Sequence, residues 1–141
     1  MDIRELRIGN SVLVNGVKAK VIDIHKDVMN WDKSPYRIFV EGISPETGEL
    51  MQVGAFVASD SVQPIPITEE LLKELGFEKS ETNQYDWYKY IDDFSIFIKI
   101  FKRGRCRAEV YSEFSHHGNM VCYYLNELEQ FVFMTTKKEL I

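Results

Sequence analysis

Two prolines near the middle of the chain divide it into two parts with different residue patterns. The segment Pro64-Ile65-Pro66-Ile67 predicts a short, stiff connector, because proline fixes φ and lacks the N–H that a helix or a central strand needs. Short strand-like runs precede the connector, and helical runs occur only after it. Since 141 residues suffice for one domain of usual size or two small ones, we predict two domains, 1–67 and 68–141.

Composition and charge exclude several classes of protein. Hydrophobic residues make up 45% of the chain and charged residues 28%, which excludes a disordered or collagen-like protein. The first seven residues carry four charges, and the longest nearly apolar run, 94–101, is far shorter than the roughly 20 residues that cross a bilayer. We therefore expect a cytoplasmic protein without a signal peptide or a membrane partner. The net charge of −5 disfavours bulk attraction to nucleic acid.

The first domain contains turn signals at short, regular spacing. Asn15-Gly16 favours a tight hairpin, because both residues accept positive φ. In the strand that follows, the apolar alternation changes phase between Val21 and Ile22, which predicts a β-bulge. Short strands with no helix between them indicate a strongly bent five-stranded barrel. Further strands are predicted over 36–43 and 50–57.

The opening of the first domain is similar to that of a known fold. Its run Arg7-Ile8-Gly9-Asn10-Ser11-Val12, followed by Asn15-Gly16, resembles the opening of SH3-like barrels. The resemblance implies an SH3-like β-barrel over residues 1–67. A barrel of this length has only a small hydrophobic core, because small chains bury a smaller share of their surface.

The segment after the connector predicts a short helix whose two ends are both specified locally. Thr68 is a typical N-cap, and Glu69 and Glu70 place negative charge in the first turn, where the helix dipole favours it. Gly76 predicts a left-handed residue just beyond the helix, with Phe77 making the hydrophobic contact that accompanies such an ending.

The rest of the second domain predicts an antiparallel meander followed by another helix. Strands are expected over 85–91, 94–102 and 105–114, with tight turns at 92–93 and 103–104. Residues Ser115-His116-His117-Gly118-Asn119 are expected to form a loop. We therefore predict a fold that is mainly β with an α+β part: an N-terminal SH3-like barrel, then a three- to four-stranded antiparallel sheet packed with two helices.

Apolar residues near the C-terminus recur at steps of three and four, which is typical of an amphipathic helix. The expected inner face consists of Tyr124, Leu125, Leu128, Phe131, Val132 and Thr135. The expected outer face consists of Glu127, Glu129 and Gln130.

One strand of the second domain is apolar on both of its faces. The isoleucines of 94–102 lie on one face, while Phe97 and Phe101 lie on the other, where a half-exposed strand usually carries polar residues. Either the first domain covers this second face, or Phe97 and Phe101 form a homodimer interface.

A cluster of positive charge follows in the same region. Five cations and no acid occur within the nine residues 99–107, namely Lys99, Lys102, Arg103, Arg105 and Arg107. Arg103, Arg105 and Arg107 share a strand parity, so we expect them on one side of the hairpin. The aromatic residues expected in the same sheet are Tyr85, Trp87, Tyr88, Tyr90 and Tyr111. Aromatic rings beside cations can stack bases and neutralise phosphates. The cations could also bind an acidic protein partner, whereas a charged edge hairpin only blocks sheet-to-sheet aggregation.

No arrangement of residues in the sequence specifies a cofactor, a metal or a catalytic group. Cys106, His116, His117 and Cys122 lack the close ligand pairs of structural zinc sites, and two buried thiols are the simpler interpretation. Ser115 beside His116 does not resemble a nucleophile elbow. The glycines are dispersed, so no phosphate-binding loop is expected.

Three stretches of the chain resemble a known family. Ile65-Pro66-Ile67-Thr68-Glu69-Glu70-Leu71-Leu72-Lys73-Glu74-Leu75-Gly76-Phe77, the opening Leu6-Arg7-Ile8-Gly9-Asn10 and the closing run 125–133 are similar to small uncharacterised proteins of prophages and mobile elements of gut anaerobes. That family usually carries His-Gln-Leu-Gln-Asn where this chain has 126–130, and Gly where it has Lys137. The resemblance implies a phage or mobile-element accessory protein and supplies no catalytic residue.

The function predicted from the sequence is that of a non-enzymatic accessory protein acting through association with a protein partner. The alternative is a nucleic-acid-binding protein that uses the hairpin 99–107 together with Tyr88 and Tyr90. A small hydrolase is the third and most distant interpretation.

Overall fold

A computed structural model describes residues 6–26, 36–43, 48–56, 62–82, 84–113 and 115–140. The chain divides into two compact units, Met1–Ile65 and Pro66–Ile141, and each is described by itself. Within the described ranges the protein is mainly β, with two antiparallel sheets and two helices, so the predicted mainly-β, α+β class is confirmed.

The first unit is one antiparallel sheet of five strands in the order β4-β3-β2-β1-β5. The last strand of the unit therefore pairs with the first strand, on the side opposite the second strand. No pairing between β4 and β5 closes the sheet into a barrel within the described residues. The strands are β1 Ser11–Val14, β2 Val17–Lys26, β3 Tyr36–Ile43, β4 Leu50–Phe56 and β5 Val62–Gln63.

Local backbone chemistry forms the first hairpin as predicted. Asn15 and Gly16 have φ of 51° and 80°, and the flanking residues Val14 and Val17 pair directly across the two-residue turn. The register between β2 and β3 shifts between Val21 and Asp23, which confirms the predicted bulge.

The core of the first unit is built from sheet residues and from the segment that precedes β1. Asn10 is buried because it is tied into that segment: its side-chain oxygen accepts from the Arg7 N–H at 2.8 Å, and its carbonyl accepts from the Val21 N–H at 2.8 Å. These bonds hold the start of the chain against β2. The core cluster consists of Leu6, Val12, Val14, Ala19, Val21, Ile38, Val40 and Val62.

The second unit is a helix, a five-stranded antiparallel meander and a second helix. Its strand order is β10-β9-β8-β7-β6, so β8 and β9 are interior strands. The elements are α1 Glu69–Glu74, β6 Glu78–Lys79, β7 Trp87–Ile91, β8 Phe94–Ile100, β9 Cys106–Ser112, β10 Ser115–Cys122 and α2 Leu125–Thr136. A short 3-10 helix, Lys102–Gly104, joins β8 to β9.

The loop predicted at residues 115–119 is wrong, because these residues form the first part of β10. Ser115 pairs with Ser112 and Asn119 pairs with Glu109, so β9 supplies the backbone hydrogen bonds that a polar sequence does not reveal. A bulge between His116 and Gly118 interrupts the pairing once.

The ends of α1 follow the predicted capping pattern. The Thr68 hydroxyl accepts from the Leu71 N–H at 3.2 Å. Gly76 has φ of 86°, and the Phe77 N–H donates to the Leu72 carbonyl at 2.9 Å, the bond that closes a Schellman ending. Phe77 and Leu72 are both buried, so the predicted hydrophobic contact has its two members in the core.

The two faces of the second sheet differ in their cover. On one face, Ile96, Ile98, Ala108 and Val110 are fully buried, and α2 packs against β9 and β10. Gly118 lies on this face, and a Cβ there would stand 3.8 Å from the Phe131 ring. We call this face the helix face. The opposite face, which we call the aromatic face, carries Tyr88, Tyr90, Phe97, Lys99, Arg107, Glu109, Tyr111 and His116.

Helix α2 is buried more completely than its apolar stripe predicts. Leu125, Leu128 and Val132 are buried as expected, but Glu129, predicted on the outer side, is only 2% exposed. Glu127 is not simply a surface residue either, because its carboxylate accepts from the Tyr123 and Tyr124 N–H groups at 3.0 and 3.1 Å. It thereby satisfies backbone donors at the start of the helix.

Lys89 connects three parts of the second unit on the helix face. Its ammonium donates to the Leu75 carbonyl at the end of α1 and to the Leu140 carbonyl, the latter at 3.2 Å. It also lies 5.9 Å from the centre of the Phe77 ring. Burial lowers the pKa of Lys89. A cation at a helix C-terminus is favourable there, because the last carbonyls carry partial negative charge.

Candidate functional site

The aromatic face is centred on Phe97 of β8. The Tyr85 ring stacks on the Phe97 ring with centroids 4.8 Å apart, and the Tyr111 ring meets it edge-on at 5.7 Å. The Tyr85 hydroxyl donates to the Glu109 carboxylate and lies 3.3 Å from the Tyr111 hydroxyl. Phe97 is therefore covered by aromatic rings of its own unit, an explanation that the two sequence-based alternatives did not include.

The hydroxyl of Tyr85 is held in its protonated form. Burial raises the pKa of Tyr85, and the hydrogen bonds to Glu109 and Tyr111 raise it further. Tyr85 is therefore a hydrogen-bond donor at neutral pH, and it fixes the position of the Glu109 carboxylate. Along β9, Glu109 lies between Arg107 and Tyr111 on this face.

Two of the basic residues, Arg105 and Arg107, pack on Phe101 at one end of the aromatic face. The guanidinium carbons of Arg105 and Arg107 lie 5.0 and 6.0 Å from the centre of the Phe101 ring. Both distances suit cation–π attraction. Lys99 pairs with Arg107 across β8 and β9, and its ammonium lies 3.7 Å from the Asp86 carboxylate.

An open depression lies beside this basic group. Phe101, Lys102, Arg105 and Tyr123 line it, and its volume is about 590 Å³. That volume is within the range of ligand clefts, but the depression is open and its lining combines two aromatic residues with two cations. Lys102 is exposed, and Tyr123 is 46% exposed.

The two predicted tyrosines lie on the same face but away from the arginines. Tyr88 and Tyr90 occupy β7, so β8 separates them from Arg107, and two strand spacings amount to about 10 Å. The Tyr88 hydroxyl donates to Glu78 at 2.6 Å, a bond that raises the pKa of Tyr88. Tyr90 is 66% exposed.

Two expectations about the basic residues need correction. Arg103 belongs to the 3-10 helix Lys102–Gly104 and not to a strand, so strand parity does not align its backbone with Arg105 and Arg107. The interpretation of 99–107 as a charged edge is also wrong, because β8 and β9 are interior strands. Their charges therefore lie on a sheet face and protect no edge.

The aromatic residues predicted in one sheet are divided between its two faces, and two residues of the site were not predicted. Trp87 pairs with Ile98 and is 2% exposed, so it belongs to the helix face. Glu109 and Tyr123 were not singled out. Glu109 has the same strand parity as Arg107, which is a sequence signal for an acid beside the cations. Tyr123 follows β10, whose first residues were expected to form a loop.

The histidines and cysteines do not converge. His116 lies against Tyr111 with ring centroids 4.7 Å apart, while Nε2 of His117 lies 2.8 Å from the Ser112 hydroxyl oxygen. Cys106 and Cys122 are buried as a pair on the helix face. Within the part of the chain that the structure describes, no group of three or more His, Cys, Asp or Glu could hold a metal ion.

Comparisons of the chain with protein-family models, curated proteins and solved structures produced no match in any of the three. Among the described helices, none has the length and apolar character needed to cross a membrane. The site is therefore assigned from its geometry: an aromatic face with arginines packed on Phe101 at one end, next to an open depression.

Proposed function

We propose that this protein is a non-enzymatic binding module that associates with another protein through the aromatic face of its second unit. The observation that carries the proposal is the packing of Arg105 and Arg107 on Phe101 beside the exposed rings of Tyr123 and, farther along, Tyr90. Tyrosine and arginine are among the residues most enriched at the energetic centres of protein interfaces.

The balance of charge on this face favours a protein over a polyanion. Lys99 has Asp86 as a neighbour, and the Glu109 carboxylate stands within the same sheet surface. Together with a net charge of −5, these acids reduce the attraction for phosphates. A protein partner can present both acids and cations, so its charges can complement a face that carries both.

Site-specific photocrosslinking tests this proposal. A photoreactive phenylalanine analogue at Tyr90 or Tyr123 is expected to capture the same partner in the native host, and Arg105→Glu combined with Arg107→Glu should abolish the capture. The matched control places the analogue at Met134, which is 71% exposed on α2. Equal capture from Met134, or capture that survives the two charge reversals, contradicts the proposal.

A second candidate function is the binding of single-stranded nucleic acid at the depression beside Phe101. It is supported by the two arginines on the Phe101 ring and by the exposed Lys102 and Tyr123, since base stacking next to cations is the usual mode of such proteins. Fluorescence anisotropy with a mixed-sequence oligonucleotide over a salt series tests it. The logarithm of the binding constant should fall by about 0.7 per neutralised phosphate and per tenfold increase in salt. Absence of binding at low salt eliminates this candidate.

For the first domain, 1–67, we propose the SH3-like barrel that its opening sequence resembles. The return of β5 to β1 and the bulge in β2 support this proposal, because both features help an antiparallel sheet to curl. An experimental structure of the full chain tests it, and a sheet that stays open between β4 and β5 contradicts it. A cytoplasmic accessory role in a phage or mobile element remains the biological context that we propose.

A further inference from the structure

The two cysteines of the chain face each other across β9 and β10. Cys106 and Cys122 are direct partners in the strand register, although fifteen residues separate them in the sequence. They are 1% and 0% exposed, and both are free thiols. The pair lies on the helix face, close to the beginning of α2 at Leu125.

The register satisfies the geometric requirement of a disulfide. Residues directly opposite each other in an antiparallel pair have Cα atoms about 4.5 or 5.5 Å apart, depending on their hydrogen bonding. Disulfides form over Cα separations of roughly 4.4–6.8 Å. Either spacing lies within that range, so a bridge between β9 and β10 needs no change in strand pairing.

The two thiols already interact and are chemically unequal. A hydrogen bond with Cys122 lowers the pKa of Cys106, while the same bond together with burial raises the pKa of Cys122. The Cys106 sulfur is therefore the one that more readily becomes a thiolate. Thiol–disulfide exchange needs one such thiolate as the attacking group and a second thiol within reach.

We propose that Cys106 and Cys122 are a reversible disulfide site, closed by exchange with a low-molecular-weight disulfide. The proposal is independent of the binding function proposed above. The bridge lies next to the candidate site, because Arg105 precedes Cys106, Tyr123 follows Cys122, and both flanking residues line the open depression. Closing it ties together the two strand ends that carry these residues.

The exchange balances in two steps. The Cys106 thiolate attacks the small disulfide, which forms a mixed disulfide at Cys106 and releases one small thiolate. Cys122, once deprotonated, attacks the Cys106 sulfur, which forms the protein bridge and releases the second small thiolate. Two protein thiols are oxidised to one disulfide, the small disulfide is reduced to two thiols, and the two protein protons pass to these thiols or to buffer.

An equilibrium measurement with the full chain tests the proposal. The protein is equilibrated with a fixed ratio of reduced to oxidised glutathione, in native buffer and in concentrated urea, starting both from the reduced chain and from a chain bridged in urea. Approach from both sides ensures that slow access to buried thiols does not affect the result. Acid quenching, alkylation and intact-mass analysis give the bridged and the dithiol fractions.

The native fold is expected to raise the ratio of bridged to dithiol chain by about 100-fold over the ratio in urea. The loop-closure model gives the factor by which a bridge that closes a loop of about 15 residues stabilises the folded state. Because the two equilibria are linked, folding raises the ratio of bridged to dithiol chain by the same factor. An increase of at least about tenfold supports the proposal, and any smaller ratio, including a decrease, overturns it.

The matched control variants are Cys106→Ser and Cys122→Ser. Each retains one buried thiol and cannot form an intrachain bridge, so only a mixed disulfide with glutathione should accumulate. If either variant shows the same loss of mass that marks the bridge in the parent chain, the signal comes from another reaction, and this result also overturns the proposal.

Discussion

Within the described residues, the two sheets have five strands each and form their cores in different ways. In the first unit, β5 returns to pair with β1, and the core cluster comes from the strands and the segment before them. In the second unit, the strands follow one another in simple order, and α2 packs on one face. The first unit builds its core from the sheet and the segment before it, whereas the second separates a buried face from an aromatic one.

This difference indicates where each unit is sensitive to change. A sheet that supplies its own core depends on close backbone approach between neighbouring strands, as at Gly42, where a Cβ would stand 2.8 Å from the Lys18 carbonyl oxygen. A sheet covered by a helix depends on the side chains of that helix, such as Leu128, which is fully buried. Substitutions in the two units should therefore have effects of different origin.

Leu128→Ala should have the largest effect. Removing a fully buried leucine side chain from α2 is expected to lower the free energy of unfolding by about 3 kcal/mol, because transfer energy is lost and a cavity remains. Hydrogen exchange resolved along the chain should show loss of protection in β9 and β10. Met134→Ala, an exposed position on the same helix, is the control. Equal loss of protection in β1 and β2 contradicts the expected difference between the two units, because the two sheets would then unfold together.

Gly42→Ala should destabilise the first unit by about 2 kcal/mol, a typical cost of overpacking. The added methyl group meets the backbone oxygen of Lys18, which cannot move without disturbing the pairing of β2 and β3. Ile43→Ala, at the next residue, is the control, since Ile43 is 64% exposed. Urea titration followed by circular dichroism measures both, and similar midpoints for the two variants contradict the steric explanation.

Lys89→Met should cost the second unit about 1–2 kcal/mol, because the carbonyls of Leu75 and Leu140 lose a charged donor. The methionine keeps most of the side-chain volume, so the loss reflects hydrogen bonding. Lys79→Met is the control, because Lys79 is exposed on the short strand β6. A thermal melt in which both variants match the parent protein shows that the lysine does not hold α1 to the chain end.

Tyr85→Phe should cost about 1 kcal/mol at neutral pH, the usual contribution of one side-chain hydrogen bond. Because the fold raises the pKa of Tyr85, its stabilising effect is complete below the ordinary value of 10.0 and is lost as the pH rises toward the folded value. Unfolding measured from pH 7 to the alkaline range should show a smaller decline for the variant than for the parent. An equal decline in the stability of the variant and the parent contradicts the assignment of this pH dependence to Tyr85.

Lys137→Gly should have the smallest effect, and it should be stabilising by about 0.5–1 kcal/mol. Lys137 ends α2 with φ of 61°, a left-handed conformation that glycine adopts without strain, and its N–H donates to the Phe133 carbonyl at 2.8 Å. Lys137→Ala is the matched control, because alanine keeps the Cβ and should bring no such gain. An equal rise in melting temperature for both variants contradicts the backbone explanation.

Features encoded by neighbouring residues could be predicted from the sequence. The Thr68 cap, the Gly76 ending, the Asn15-Gly16 turn and the phase change after Val21 depend on a few adjacent residues, and each is present. Features that depend on distant partners were not predictable in the same way. Residues 115–119 form a strand because β9 pairs with them, and their own polar composition is typical of a loop.

The candidate site was predictable only as a set of residue types. Arg105 and Arg107 share a face, as strand parity indicates, but their common partner Phe101 belongs to the segment between β8 and β9. The stacking of Tyr85 on Phe97 requires a residue outside any strand to fold back over the sheet, and no periodicity encodes that contact. The same limitation explains why Glu129 was expected at the surface.

The strict alternation of β8 and β9 has an evolutionary consequence. Ile96 and Ala108 are completely buried on the helix face, while their immediate neighbours Phe97, Arg107 and Glu109 lie on the aromatic face. Mutations at the second group can change the proposed binding surface while leaving the packing beneath the helix intact. Selection on the proposed binding surface and selection for folding would therefore act on different positions of the same two strands.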